Sequence, residues 1–297
     1  MSYTLKRLIE LFCDEPDSSF HNLRYQVRIK HQRLLARISR EHGNYQLRNI
    51  RARNLLAWHK AWMSGGKIAM AHALISRLRV LFRFGATLLE DRECIRLLNT
   101  LRETRFPTSL PRNLRMTVEQ VKAVRVQAHR KYWDTMAMAQ ALQFELMLRQ
   151  KEVIGEWLPV SEPGASYVVN DKQGKWLMGL RWEEIDENLI LRHNHSSEKG
   201  EDIKFDLKLA PMVLVEFALH VQTPIARLTR AALPASGPMI ICETTGYPYS
   251  TAEFRRKWRI VAKLAGVPDN INNMDSSPAG MIFRGPDRAP PPSAINR

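Results

Sequence analysis

The run Ala141-Leu-Gln-Phe-Glu-Leu-Met-Leu-Arg149-Gln-Lys-Glu152-Val-Ile-Gly-Glu-Trp157 sets an arginine, then a glutamate three positions on, at the far end of an apolar helical stretch. Fifty residues later Lys199 stands in Ser196-Ser-Glu-Lys199-Gly, a run of β-turn type. A guanidinium is permanently charged and can hold two oxygens of one phosphate, and an ammonium beside a phosphate can hand a proton to a leaving oxygen. The two residue types together suit phosphate chemistry. Each also has an ordinary reading. Arg149 could be a helix-end arginine tied to the last carbonyls, and Lys199 a solvated turn lysine. On position alone the ordinary readings are favoured.

The charge balance bears on that choice. Of the net +15, residues 1–116 hold 22 Lys+Arg against 9 Asp+Glu, while residues 117–297 hold 23 against 21. An excess confined to one segment points to a polyanionic partner, with nucleic acid the usual one. A membrane surface competes, but no run approaches the length of a membrane span, and no apolar signal segment opens the chain. The expected location is the cytoplasm. Three cysteines, Cys13, Cys94 and Cys242, are too scattered for a disulfide framework or a zinc site. His193-Asn-His195 lacks a nearby cysteine and is a weak metal signal, so no metal or cofactor is expected.

The 297 residues suffice for two domains. Residues 1–19 read as a poorly fixed leader. Residues 20–105 read as a helical domain. Its clearest stretch is Lys67 to Gly85, where Ile68, Ala71, Ile75, Leu78, Phe82 and Gly85 recur at helical spacing, flanked by His72, Ser76, Arg79 and Arg83. A second basic helix runs from Arg48-Asn-Ile-Arg51-Ala-Arg53 to Trp62, ended by Gly65-Gly66. Arg51, Arg53, Arg79 and Arg83, with Arg115 beyond, are the candidate phosphate contacts. Any one of them is as readily a solvated side chain. Trp58 and Trp62, at i and i+4, belong to the core on this reading.

Residues 106–116, rich in proline and arginine and without periodicity, read as a linker. Helices follow at 117–131 and 134–154, the first opened by Thr117 and Gln120 as a capping box. Strands are expected at 176–182, 189–192 and 203–209, and helices at 211–221 and 251–265. In the last helix Phe254, Trp258, Val261 and Ala265 make an apolar face beside a stripe of Arg255, Arg259 and Lys263. Residues 276–297 are proline-rich and expected to be disordered.

In this order the motifs resemble the tyrosine recombinases, or phage-type integrases. Leu148-Arg149-Gln-Lys-Glu152-Val-Ile looks like the family's first-arginine box, Leu180-Arg-Trp-Glu-Glu-Ile-Asp186 like the strand entry after it, and Lys199 like its β-turn lysine. Lys204-Phe-Asp-Leu207 looks like the returning strand, and Thr245-Gly-Tyr-Pro-Tyr-Ser250 with the helix Phe254–Gly266 like the segment before the second box. The resemblance implies a mainly α fold with a small β-sheet. An N-terminal all-α DNA-binding domain would precede an α+β catalytic-type domain over 117–275, incomplete at its C-terminus. It also implies double-stranded DNA held in a C-shaped clamp and self-association on DNA. Arg149 would clamp the phosphate, Lys199 would be the general acid on the leaving 5′ oxygen, and Glu152 would fix Arg149 or its helix.

The sequence departs from the family at its second box, His-x-x-Arg, where Asn273-Met274-Asp275-Ser276-Ser277 puts Met274 at the histidine and Ser277 at the arginine. The last tyrosines, Tyr247 and Tyr249, precede that box, so the nucleophile is missing. A truncated or frameshifted recombinase, defective in catalysis, is the expectation. The alternative is a non-catalytic protein that occupies recombination sites, and a third reading is a basic interaction protein that does not distinguish duplex DNA from other polyanions.

Overall fold

The computed structural model describes residues 3–109, 113–194 and 202–276. Two compact units divide between Arg112 and Asn113. The first is all helix: α1 Leu5–Asp14, α2 Tyr25–His42, α3 Ala52–Trp62, α4 Ile68–Thr87 and α5 Arg92–Glu103. Helix α4 is its axis. Ala71, Leu74, Ile75, Leu78, Leu81, Phe82 and Gly85 are fully buried, and α4 packs against each of the other four helices. Gly85 is required by closeness, since a Cβ there would fall 2.3 Å from the Cys94 sulfur of α5. Trp58 and Trp62 lie in this core, as their spacing predicts.

The first residues differ from the expected loose leader. Thr4 caps α1 by accepting the Arg7 N–H at 3.1 Å, and Leu5, Leu8, Ile9 and Phe12 make a buried face at i, i+3, i+4 and i+7. Phe12 meets the rings of Phe20 and Phe84 edge-on at 5.6 and 5.3 Å. Apolar burial of that face fixes the segment.

The second unit is α+β. Helices α6 Val118–Arg130, α7 Asp134–Glu145 and α8 Gln150–Ile154 come first. Strands β1 Glu156–Leu158, β2 Val169–Asn170 and β3 Gly174–Leu177 then form an antiparallel sheet in the order β1-β3-β2, with Trp157 opposite Trp176. Strands β4 Ile190–Asn194 and β5 Asp202–Asp206 pair antiparallel with Leu191 opposite Phe205, and α9 Pro211–His220 and α10 Thr251–Leu264 follow. The strands thus form two small sheets. The strand expected over 176–182 ends at Leu177 because Met178 turns to φ 70°.

Helix α7 is the core of this unit, and Thr135 to Glu145 are all buried. A helix buried on every side must satisfy its polar groups internally. Gln143 and Asn273 exchange amide hydrogen bonds at 3.1 and 2.9 Å. Gln140 accepts from the Trp258 indole at 2.7 Å and donates to the Ser276 hydroxyl at 2.6 Å. These bonds seat residues 272–276 on α7. On another side of α7, Arg125 of α6 reaches Glu216 of α9 at 2.6 Å. His129 bridges Glu216 at 2.9 Å and Asp134 at 2.7 Å, and the Glu216 hydrogen bond above all pushes its pKa up to about 8. No helix among the described residues is long and apolar enough to cross a membrane.

Candidate nucleic-acid interface

The helix expected over 134–154 is broken in two, and the break places Arg149. Between the buried Leu146 and Leu148, Met147 takes φ 56°, outside the helical region, and the helix ends there. Helix α8 then starts afresh. The Glu152 carboxylate accepts the Arg149 backbone N–H at 2.7 Å, the reach-back half of a capping box. The Arg-x-x-Glu spacing is thus the geometry of a helix start. Arg149 stands at the N-cap of α8 rather than within the last turn of α7. Its side chain is 58% exposed, with Nε 3.8 Å from Glu152.

Beside α8 lies a cleft of about 370 Å³ lined by Gln150, Arg255, Trp258, Arg259, Asn272, Asn273 and Met274. Three elements build it. Helix α10 is capped by Ser250, which accepts the Glu253 N–H at 3.3 Å, and it buries Phe254, Trp258 and Val261 while its basic stripe faces outward. Arg255 Nε lies 3.4 Å from Gln150 Oε1 at the start of α8. The 272–276 segment closes the remaining side, with the Asp275 carboxylate accepting the Asn272 N–H at 2.7 Å. Met274, at the position the family gives to histidine, is 65% exposed beside this cleft.

The sequence reading put Arg255 and Arg259 on a stripe without assigning them to a site. Only the folded chain brings them next to the residue after Arg149. Lys199, His195 and Ser277 lie outside the described residues. The partner of the histidine pair, His193, is buried and bonded through Nδ1 to Glu184 at 3.0 Å. Tyr249 is fully buried and donates its hydroxyl to Glu243 at 2.9 Å, and burial pushes its phenol pKa up.

In the first unit the expected contacts divide. Arg53 and Arg83 are exposed, as is Arg115 in the second unit. Arg51 turns its guanidinium to the Arg48 and Ile50 carbonyls, and Arg79 points at the Leu101 carbonyl at 3.4 Å and lies 5.7 Å from the Phe106 ring centre. Arg79 thereby ties α4 to α5, while Arg51, itself exposed, bonds carbonyls one and three residues back. Helix α2 supplies cations that the sequence reading passed over. Lys30, Arg33, Arg37 and Arg40 recur at three- and four-residue spacing, and Lys30, Arg33 and Arg40 are exposed. Arg37 is paired with Glu41 at 2.8 Å. The spacing was readable, but the stripe has few strong apolar residues beside it to signal an amphipathic helix.

Neither a protein-family model nor a curated protein sequence matches the chain. Solved structures do match. Lambda integrase bound to DNA aligns with a TM-score of 0.65 and 14% identity, over 93% of this chain and 85% of that one. A lambda integrase dimer bound to a COC′ core site gives 0.64 and 16%, over 94% and 69%. The Tn1549 transposon integrase in complex with transposon right end DNA gives 0.59 and 12%, over 93% and 85%. At such identities the likeness is one of fold, and it is the tyrosine recombinase fold that the order of motifs implied: mainly α, with an all-α first unit and an α+β second.

Proposed function

We propose that this chain is a cytoplasmic DNA-binding protein of the tyrosine recombinase or integrase type, acting in site-specific recombination and DNA integration. As written, it binds double-stranded DNA without cutting it. The observation that carries the reading is the fold, shared over 93–94% of the chain with integrases whose structures hold DNA. The basic excess of residues 1–116 supports it independently.

Arg149 is the phosphate clamp on this reading, and its exposed side chain on a capped helix start fits that role. Lys199 is the general acid. The catalytic defect follows from the second box, where Ser277 stands in place of an arginine, a loss of one preorganised donor that costs about 10²–10³ in rate. Tyr249 is buried against Glu243 and does not offer its hydroxyl to a phosphate. The protein then occupies recombination sites. It assembles with further copies there, as the lambda integrase tetramer bound to a Holliday junction does.

Two measurements test this. Anisotropy of a labelled duplex, with heparin as competitor, should give binding that prefers duplex and weakens steeply with salt. Equal affinity for heparin, or binding flat with salt, sinks the DNA reading. A nicked suicide substrate should yield no covalent protein–DNA adduct, and an adduct would overturn the catalytic part alone.

A further inference from the structure

We propose that the cleft between α8, α10 and the 272–276 segment holds one backbone phosphodiester of duplex DNA, gripped by Arg255 and Arg259 with the Gln150 and Asn272 amides beside them. The inference rests on the DNA-binding reading and names where on the second unit a phosphate sits.

The lining is the first argument. It is guanidinium, amide, thioether and indole, with no carboxylate, so the charge of two arginines inside the cleft is unanswered by its own walls. The acids around it are otherwise placed. Asp269 is 80% exposed and no closer than 4.0 Å to Arg259 Nη1, Asp275 accepts the Asn272 N–H, and Glu152 accepts that of Arg149.

The state of Arg259 is the second. Its Nη2 donates to the Ile271 carbonyl and to Asn272 Oδ1, both at 2.8 Å, and its guanidinium lies 5.3 Å from the Trp258 ring centre. Its Nη1 is buried and has no hydrogen-bond partner among the described residues. One edge of the fork is thus fixed by hydrogen bonds, and the other has only Asp269 at 4.0 Å. A cation held this way loses little freedom when an oxyanion arrives beside it.

Arg255 is the complementary element. It stands one turn earlier on the same helix and is exposed, and its 3.4 Å approach to Gln150 is loose enough to be exchanged for a phosphate oxygen. Gln150 follows Arg149 directly in the chain, so a phosphate in the cleft and one at Arg149 can belong to a single stretch of backbone.

The test is a salt series of duplex binding, read by anisotropy on a fluorescein-labelled DNA, for the full chain and for Arg255→Gln and Arg256→Gln. Arg256 is exposed on the same helix but does not line the cleft, so its variant loses the same charge outside the site. Arg255→Gln should bind about tenfold more weakly and flatten the log–log salt slope by about one. Arg256→Gln should stay within about twofold of the parent, as a charge making no phosphate contact does. Equal effects of the two variants, or an unchanged slope for Arg255→Gln, overturn the cleft assignment and leave DNA binding standing. A parent chain with no duplex affinity overturns both.

Discussion

Replacing Gln143 by leucine should unfold the second unit selectively, because the site depends on a buried amide exchange. Gln143 and Asn273 are 0% and 4% exposed and bond each other through both amide groups. Leucine keeps the volume but strands the carbonyl oxygen and the amino group of Asn273 in the interior. Each unsatisfied buried polar atom costs about 1–3 kcal/mol, so Gln143→Leu should lose about 2–4 kcal/mol after partial relaxation. Asn273→Leu should lose a similar amount by stranding Gln143. The double variant removes both amides together and should be more stable than the sum of the singles by about 1–3 kcal/mol. Hydrogen exchange read by mass spectrometry across a urea series separates the units. Peptides from residues 113–276 should lose protection early, while those from residues 3–109 keep the parental midpoint. Single losses under about 1 kcal/mol, with additivity within about 0.5 kcal/mol, would refute the view that this pair seats the 272–276 segment.

Other outcomes follow from the same kind of accounting. The His129 pKa, raised from 6.5 to about 8 chiefly by Glu216, means that protonation favours the folded state. That contribution is full below about pH 6.5 and lost as pH rises through 8. With the ring 30% exposed it is worth about 1 kcal/mol rather than the roughly 2 kcal/mol of the whole shift. Urea midpoints at pH 6 and pH 9 should therefore differ less in His129→Gln than in the parent, and an identical pH dependence would count against the bridge. Gly85→Ala drives a methyl into the Cys94 sulfur and should cost about 1–3 kcal/mol in thermal unfolding of the first unit. A neutral result there means that α4 and α5 can separate freely. Leu8→Ala, at a fully buried position of α1, should cost about 2–5 kcal/mol, and a loss near zero would restore the loose-leader reading.

What was legible in the sequence was whatever rests on local pattern. The Ser250–Glu253 start and apolar face of α10 were readable, as were the Thr117–Gln120 start of α6 and the core places of Trp58 and Trp62. Helix α1 was readable too, since Leu5, Leu8, Ile9 and Phe12 already have helical spacing, but the acids and proline that follow masked it. The break before Arg149 was not readable. Leucines at 146 and 148 continue an apolar run, and nothing in the residue types signals the positive φ that Met147 takes between them.

The polar residues of the second unit show why the site itself was only half visible. In the sequence, nothing marks Gln140 and Gln143 as partners of a distant segment, and Asn273 stands only beside Met274 and Ser277, where the match to a catalytic box fails. In the fold both glutamines are buried, and they turn that failed match into a fixed wall beside two arginines. Whether an amide is solvent-facing or is the only partner of another buried amide depends on what packs over it, which for Gln143 lies 130 residues away. Periodicity finds the apolar half of a core because apolar residues bury themselves by type. A buried amide is tolerable only in pairs, so its partner must be found in space before its own role can be read. The same holds for Arg259. Its cationic stripe was plain in the sequence, but the carbonyl of Ile271 and the amide of Asn272 are what make it a held fork rather than a solvated charge.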